Sequence, residues 1–128
     1  MTGVQTCALS NIDATCKKAG FWPDAVISGH AHLYQRLVRQ DTGQDIPYII
    51  KGAGGHAISP GQEVAKPYMK TLDARLGHVM FESGYVRSTV TSPAKGDPSI
   101  RFEYHSVKPA SRGPDDLCQL NLKINELI

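Results

Sequence analysis

Cysteine, excess charge and long apolar runs are all scarce in this chain of 128 residues, and each scarcity closes off a class of protein. Three cysteines, Cys7, Cys16 and Cys118, are an odd count without a C-x-x-C spacing, so they supply no disulfide framework and mark no redox compartment. A formal net charge of +2, with Lys and Arg scattered rather than clustered, gives no electrostatic footprint for nucleic acid. No apolar stretch approaches the roughly 18 residues a membrane-spanning helix requires. Internal repeats and low-complexity tracts are absent as well. What remains is one modest domain with an ordinary hydrophobic content of 41%.

Against that plain background one stretch stands out: Ser28-Gly29-His30-Ala31-His32-Leu33-Tyr34-Gln35-Arg36. It follows a short apolar run, Ala25-Val26-Ile27, that reads as a buried strand. Two histidines spaced i, i+2 at a strand end can direct both imidazoles into one cleft, and the glycine before them lets the backbone turn sharply. Imidazole is the commonest protein metal ligand and suits Zn, Mn and Fe. An isolated H-x-H is as often a pair of ordinary loop histidines, so the flanking sequence has to decide.

The block Asp24-Ala25-Val26-Ile27-Ser28-Gly29-His30-Ala31-His32, with Tyr34-Gln35-Arg36 behind it, resembles the last signature block of the calcineurin-like metallophosphoesterases. It is most similar to their purple acid phosphatase-like branch, whose closing G-H-x-H is followed by an aromatic residue and an arginine. Ile46-Pro47-Tyr48-Ile49-Ile50-Lys51-Gly52-Ala53-Gly54-Gly55-His56 is similar to the strand and glycine-rich loop that come next in that family. The resemblance runs from about Asp13 to about Tyr104. It implies an α/β fold: the C-terminal part of a layered α/β/β/α sandwich, one N-terminal helix followed by mostly β-strands. It also implies two metal ions (Fe, Mn or Zn) in the full-length domain and a phosphate ester as substrate, with neither nucleic acid nor membrane as partner. Carried over residue by residue, His30 ligates the second metal and His32 the first. In such a site the ions bind phosphate oxygens and activate a water that attacks phosphorus.

The family's other ligand blocks, D-x-H, G-D-x-x-D and G-N-H-[ED], do not occur here. The pair Gly96-Asp97 runs into Pro98 and reads as a turn, and no Asn-His dipeptide is present. The chain is therefore expected to be a C-terminal portion that pairs with a missing N-terminal half of the same domain. That half would hold the acid-base histidine, so the chain alone should not catalyse. The competing reading is a non-catalytic β-rich binding or structural module in which the G-H-x-H is a relic. Arg36 could grip a phosphate bidentately, though a strand arginine is more often salt-bridged. Tyr34 could line the cleft or pack, and His56 could face the site from the glycine-rich loop. His78 and His105 carry no partner spacing and no assigned role.

Along the chain, residues 1–9 have neither helical nor alternating pattern and resemble a translated sequencing adapter, so they are expected to be a disordered, non-native leader. The resemblance implies that residues 10–107 are the C-terminal portion of a metallophosphoesterase domain. A helix is expected from Ser10, with Lys17 and Lys18 near its end and Gly20 as its cap. Phe21-Trp22-Pro23 connects it to a strand over 24–28 and is expected to plug the sheet edge. Leu33, Gln35, Leu37 and Arg39 alternate with Tyr34, Arg36 and Val38, placing the two sets on opposite faces of an extended segment. Asp41-Thr42-Gly43 reads as a turn, and further strands are expected over 46–51, 76–82, 84–91 and 100–107. Residues 108–128 read as a linker-like segment, reaching Asp116, and a terminal strand. One helix and some six strands suggest one sheet and its edge.

Overall fold

The computed structural model describes residues 3–29, 31–40, 43–55, 74–107 and 113–128, and side chains from residue 11 onward. Among these residues the chain forms one helix and eight strands in two sheets. Helix α1 spans Gly3–Ala19. Its start corrects the expectation of a structureless leader, because the helix begins seven positions before Ser10. No helix is long and apolar enough to cross a membrane among the described residues.

Gly20 ends α1 as expected. It takes a φ of 67°, the Gly20 N–H donates to the Lys17 carbonyl at 3.4 Å and the Phe21 N–H to the Cys16 carbonyl at 3.2 Å. That pair of bonds is a Schellman cap, which needs a left-handed residue that glycine adopts without penalty.

The first sheet contains β1 (Val26–Ser28), β2 (Tyr34–Arg39), β3 (Ile46–Lys51) and β4 (Ala74–Met80), in spatial order β1-β3-β2-β4. β1 runs parallel to β3, whereas β2 is antiparallel to both β3 and β4; expected to be buried, β1 instead ends the sheet among the described residues and leaves Ile27 exposed. Buried on both faces, β3 reads as a continuous apolar run. The second sheet is an antiparallel meander of β5 (Gly84–Thr91), β6 (Ser99–Ser106), β7 (Asp116–Asn121) and β8 (Glu126–Leu127). The expected terminal strand is thus a hairpin, turning at Asn125 with φ 52°, a conformation asparagine tolerates better than most residues. Asp116, placed in a linker by its neighbours' composition, is instead the first residue of β7.

The first sheet lies between two cores. On one face Ala31, Leu33, Leu37, Ile46, Tyr48 and Ile50 pack together, with Trp22 against them. On the other, Tyr34 and Ile49 meet Phe102 and Tyr104 of the second sheet. The rings of Tyr34 and Tyr104 stack with centroids 4.0 Å apart and an interplanar angle of 8°. Each such buried side chain contributes about 1.5–3 kcal/mol. Of the aromatic pair expected to plug the sheet edge, Trp22 packs against the first core, while Phe21 stays exposed. The chain crosses from the first sheet to the second within residues 81–83, a connection short enough to be mistaken for a hairpin. The Gly84 N–H donates to the Ala53 carbonyl at 3.3 Å, while β5 pairs with β6 and not with β4.

Candidate functional site

The G-H-x-H block begins one residue beyond β1, at the strand's C-terminal end. His30 and His56 lie outside the described residues. His32 is half-buried and sits at the centre of a three-residue turn, closed by the Leu33 N–H donating to the Ala31 carbonyl at 2.8 Å. A second bond, from the Gly52 N–H to the Leu33 carbonyl at 3.2 Å, ties that turn to the chain leaving β3. Glycine is required at position 52, because a Cβ there would collide with the Ala31 backbone. The backbone of the histidine block and the start of the glycine-rich loop are thus adjacent at Ala31, Leu33 and Gly52.

An open groove of about 480 Å³ is lined by Ile27 and Ser28 at the end of β1 and Gly29 just past it, Lys51 at the end of β3 and Gly54 past it, and the first residues of β5. Lys51 Nζ is enclosed and, among the described residues, has no hydrogen-bond partner. Burial pushes its amine below the usual lysine range. Gly54 stands next to it: a Cβ at that position would lie 3.6 Å from Nζ.

Tyr34 and Arg36 do not line the groove. Both turn to the second sheet and meet on Asp116. The Tyr34 hydroxyl donates to Asp116 Oδ2 at 2.6 Å, Arg36 Nε donates to the same oxygen at 2.7 Å, and Arg36 Nη2 to Oδ1 at 2.8 Å. This is the bidentate geometry that guanidinium offers a carboxylate. It depends on a bulge, because Arg36 pairs with His78 and Leu37 with Leu76, leaving Gly77 as the extra residue of β4. A Cβ on Gly77 would overlap the Arg36 guanidinium. His78 completes the cluster, with Nδ1 3.9 Å from Asp116 Oδ1.

The shared carboxylate and the tyrosine that donates to it are both shifted. Burial pushes the Asp116 carboxyl up, but the hydrogen bonds from Arg36 and Tyr34 outweigh it and hold the group below the usual carboxylate range. Burial, then the hydrogen bond to Asp116, drives the Tyr34 hydroxyl far above the ordinary tyrosine value. Burial also pushes Tyr104 up to about 12.

Sequence reasoning missed Asp116 and Lys51. For Asp116 a signal existed in the alternation Asp116, Cys118, Leu120, whose members are all buried. For Lys51 the only signal was a lysine ending an otherwise apolar strand.

Among the described residues no group of three or more His, Cys, Asp or Glu gathers in a form that could hold a metal ion. A metal at His32 would thus need further ligands from beyond these residues. Comparison with family models, curated proteins and solved structures finds no match to the chain.

Proposed function

We propose that the chain is the C-terminal portion of a dinuclear-metal phosphoester hydrolase, layered α/β/β/α when complete, and that His30 and His32 are its contribution to the metal pair. The observation that carries this reading is the position of the histidine block. It follows directly on β1, which runs parallel to β3, at a groove outside the strand's C-terminal end. That is where open α/β sheets hold ligands. Three successive layers support the same architecture: α1 meets the first sheet through Asp13 and Arg39, and the second sheet covers its other face.

The substrate is a phosphate ester and the cofactors are two ions of the Fe, Mn or Zn kind. Such ions supply Lewis-acid charge at the phosphoryl oxygens. The chain's own part is orientation. The turn at Ala31, His32 and Leu33, fastened to Gly52, fixes the backbone from which His32 projects.

The test is an aryl phosphate assay with added Mn or Zn. The 128-residue chain alone should match the buffer rate. Joined to an upstream segment carrying D-x-H, G-D-x-x-D and G-N-H-[ED], it should turn over in a metal-dependent way. There, His30→Ala and His32→Ala should each cost orders of magnitude. Metal-dependent turnover by the chain alone, or full activity of His32→Ala in the joined protein, would refute the reading.

A further inference from the structure

The first sheet carries three cationic side chains with enclosed nitrogens, and the fold treats them differently. Arg36 has Asp116 and Arg39 has Asp13, whereas Lys51 Nζ has no hydrogen-bond partner among the described residues. Removing an ammonium from water with nothing to donate to is unfavourable. A lysine in that position gains from any acceptor its flexible four-carbon stem can reach. The nearest open space is the groove at the end of β1, which Lys51 itself lines and where Gly54 adjoins its Nζ. No carboxylate among the described residues lines that groove, so nothing there competes for the cation. The same groove is lined by Ile27, 57% exposed, and Tyr85, 53% exposed, two large apolar surfaces facing solvent.

We propose that this groove is a binding site for a small organic oxyanion, whose charged end accepts hydrogen bonds from Lys51 Nζ and whose apolar part covers Ile27 and Tyr85. Glycine at 29 and 54 keeps the charged end free of side chains, so the anion can approach the backbone. The site uses none of the proposed metal ligands and needs no metal ion. It occupies the same groove on which the hydrolase reading rests and so builds on that reading, but binding that persists in EDTA is separable from the metal pair.

The test is a titration of the ¹⁵N-labelled chain with phenyl phosphate in the presence of EDTA, following the amides of Gly29, Lys51, Gly54 and Val86. Saturable shifts are expected at these amides, weaker ones with inorganic phosphate, and none with phenol at equal concentration. Lys51→Met should weaken phenyl phosphate by about tenfold or more, while Lys51→Arg, which keeps the charge, should stay within about threefold. Gly54→Val, which sets branches beside Nζ without removing it, should also weaken binding, and it decides the matter if Lys51→Met does not fold. Unchanged affinity in Lys51→Met or Gly54→Val, equal shifts with phenol, or no saturable shift at these amides would overturn the proposal.

Discussion

Two arginines of one strand, three positions apart, Arg39 buried and Arg36 half-buried, face opposite ways and bind opposite layers. Arg36 reaches the second sheet and finds Asp116; Arg39 reaches the helix and finds Asp13. The Asp116 side is a network, with a bidentate arginine, the Tyr34 hydroxyl and His78 sharing one carboxylate. On the Asp13 side the Arg39 guanidinium also lies 4.3 Å over the Trp22 ring. A buried ion pair gains little net stability over an apolar pair, because desolvation offsets attraction. Here each pair couples the central sheet to one neighbouring layer, and the difference between them measures how firmly that layer is held.

Removing one partner of a buried pair exposes that difference most strongly. Asp116→Ala leaves Arg36 and Tyr34 without their acceptor and should cost about 3–5 kcal/mol. Hydrogen exchange should then speed up in both sheets, as read by amide protection across β2, β6 and β7. Asp13→Ala should cost less, about 3 kcal/mol, because Arg39 keeps its contact with Trp22. Its exchange signature should be confined to α1 and the residues just after it. Equal, global loss of protection in both variants would remove the distinction.

Tyr34→Phe sharpens the comparison by taking one donor from the Asp116 side alone. A hydrogen bond to a charged group is worth about 1.5–3 kcal/mol, so the expected loss falls near that range. The same residue sets an alkaline limit. The folded-state pKa values of Tyr34 and Tyr104 are raised above the ordinary value of 10.0, the latter to about 12. The stabilisation from Tyr104 is therefore complete below pH 10.0 and is lost as pH rises through about 12, and that from Tyr34 has the same sign over a window that extends further. Asp116 works with the opposite sign. Its carboxyl is held below the ordinary 3.8, so its contribution is present above that pH and lost as pH falls further. Thermal melts from pH 9 to 12 should show Tm falling in the wild type and falling less steeply in Tyr34→Phe.

Much of this was legible in the residues. The alternation from Leu33 to Arg39 places Leu33, Leu37 and Arg39 on the helix side and Tyr34 and Arg36 on the other, as the structure has it. The strands over 46–51 and 84–91 follow from an apolar run and from turn residues at their ends. Three features were not legible, each for a physical reason. The helix from Gly3 carries no periodic apolar stripe in its first turns, so pattern alone gave no sign of it. The division into two sheets depends on where β5 finds its partner, which is a long-range choice that a short connection does not encode. Asp116 follows a stretch of Pro, Ser and Gly, and its role comes from Tyr34 and Arg36, 82 and 80 positions away. His30 and His56 lie outside the described residues, so the proposed metal pair rests on the motif and on its position just past β1, where Gly29 lines the groove.

Paramagnetic broadening by Mn²⁺ tests that placement most directly, because it reads distance from a bound ion and needs no catalysis. Titrating the labelled chain with Mn²⁺ at roughly millimolar concentration, in the absence of any phosphate, should broaden first the amides of Gly29, Ala31, His32 and Gly52. The effect should vanish in His32→Ala and stay unchanged in the matched control His105→Ala. Broadening centred elsewhere on the chain, or persisting at these amides in His32→Ala, would contradict the assignment of the G-H-x-H block to a metal centre.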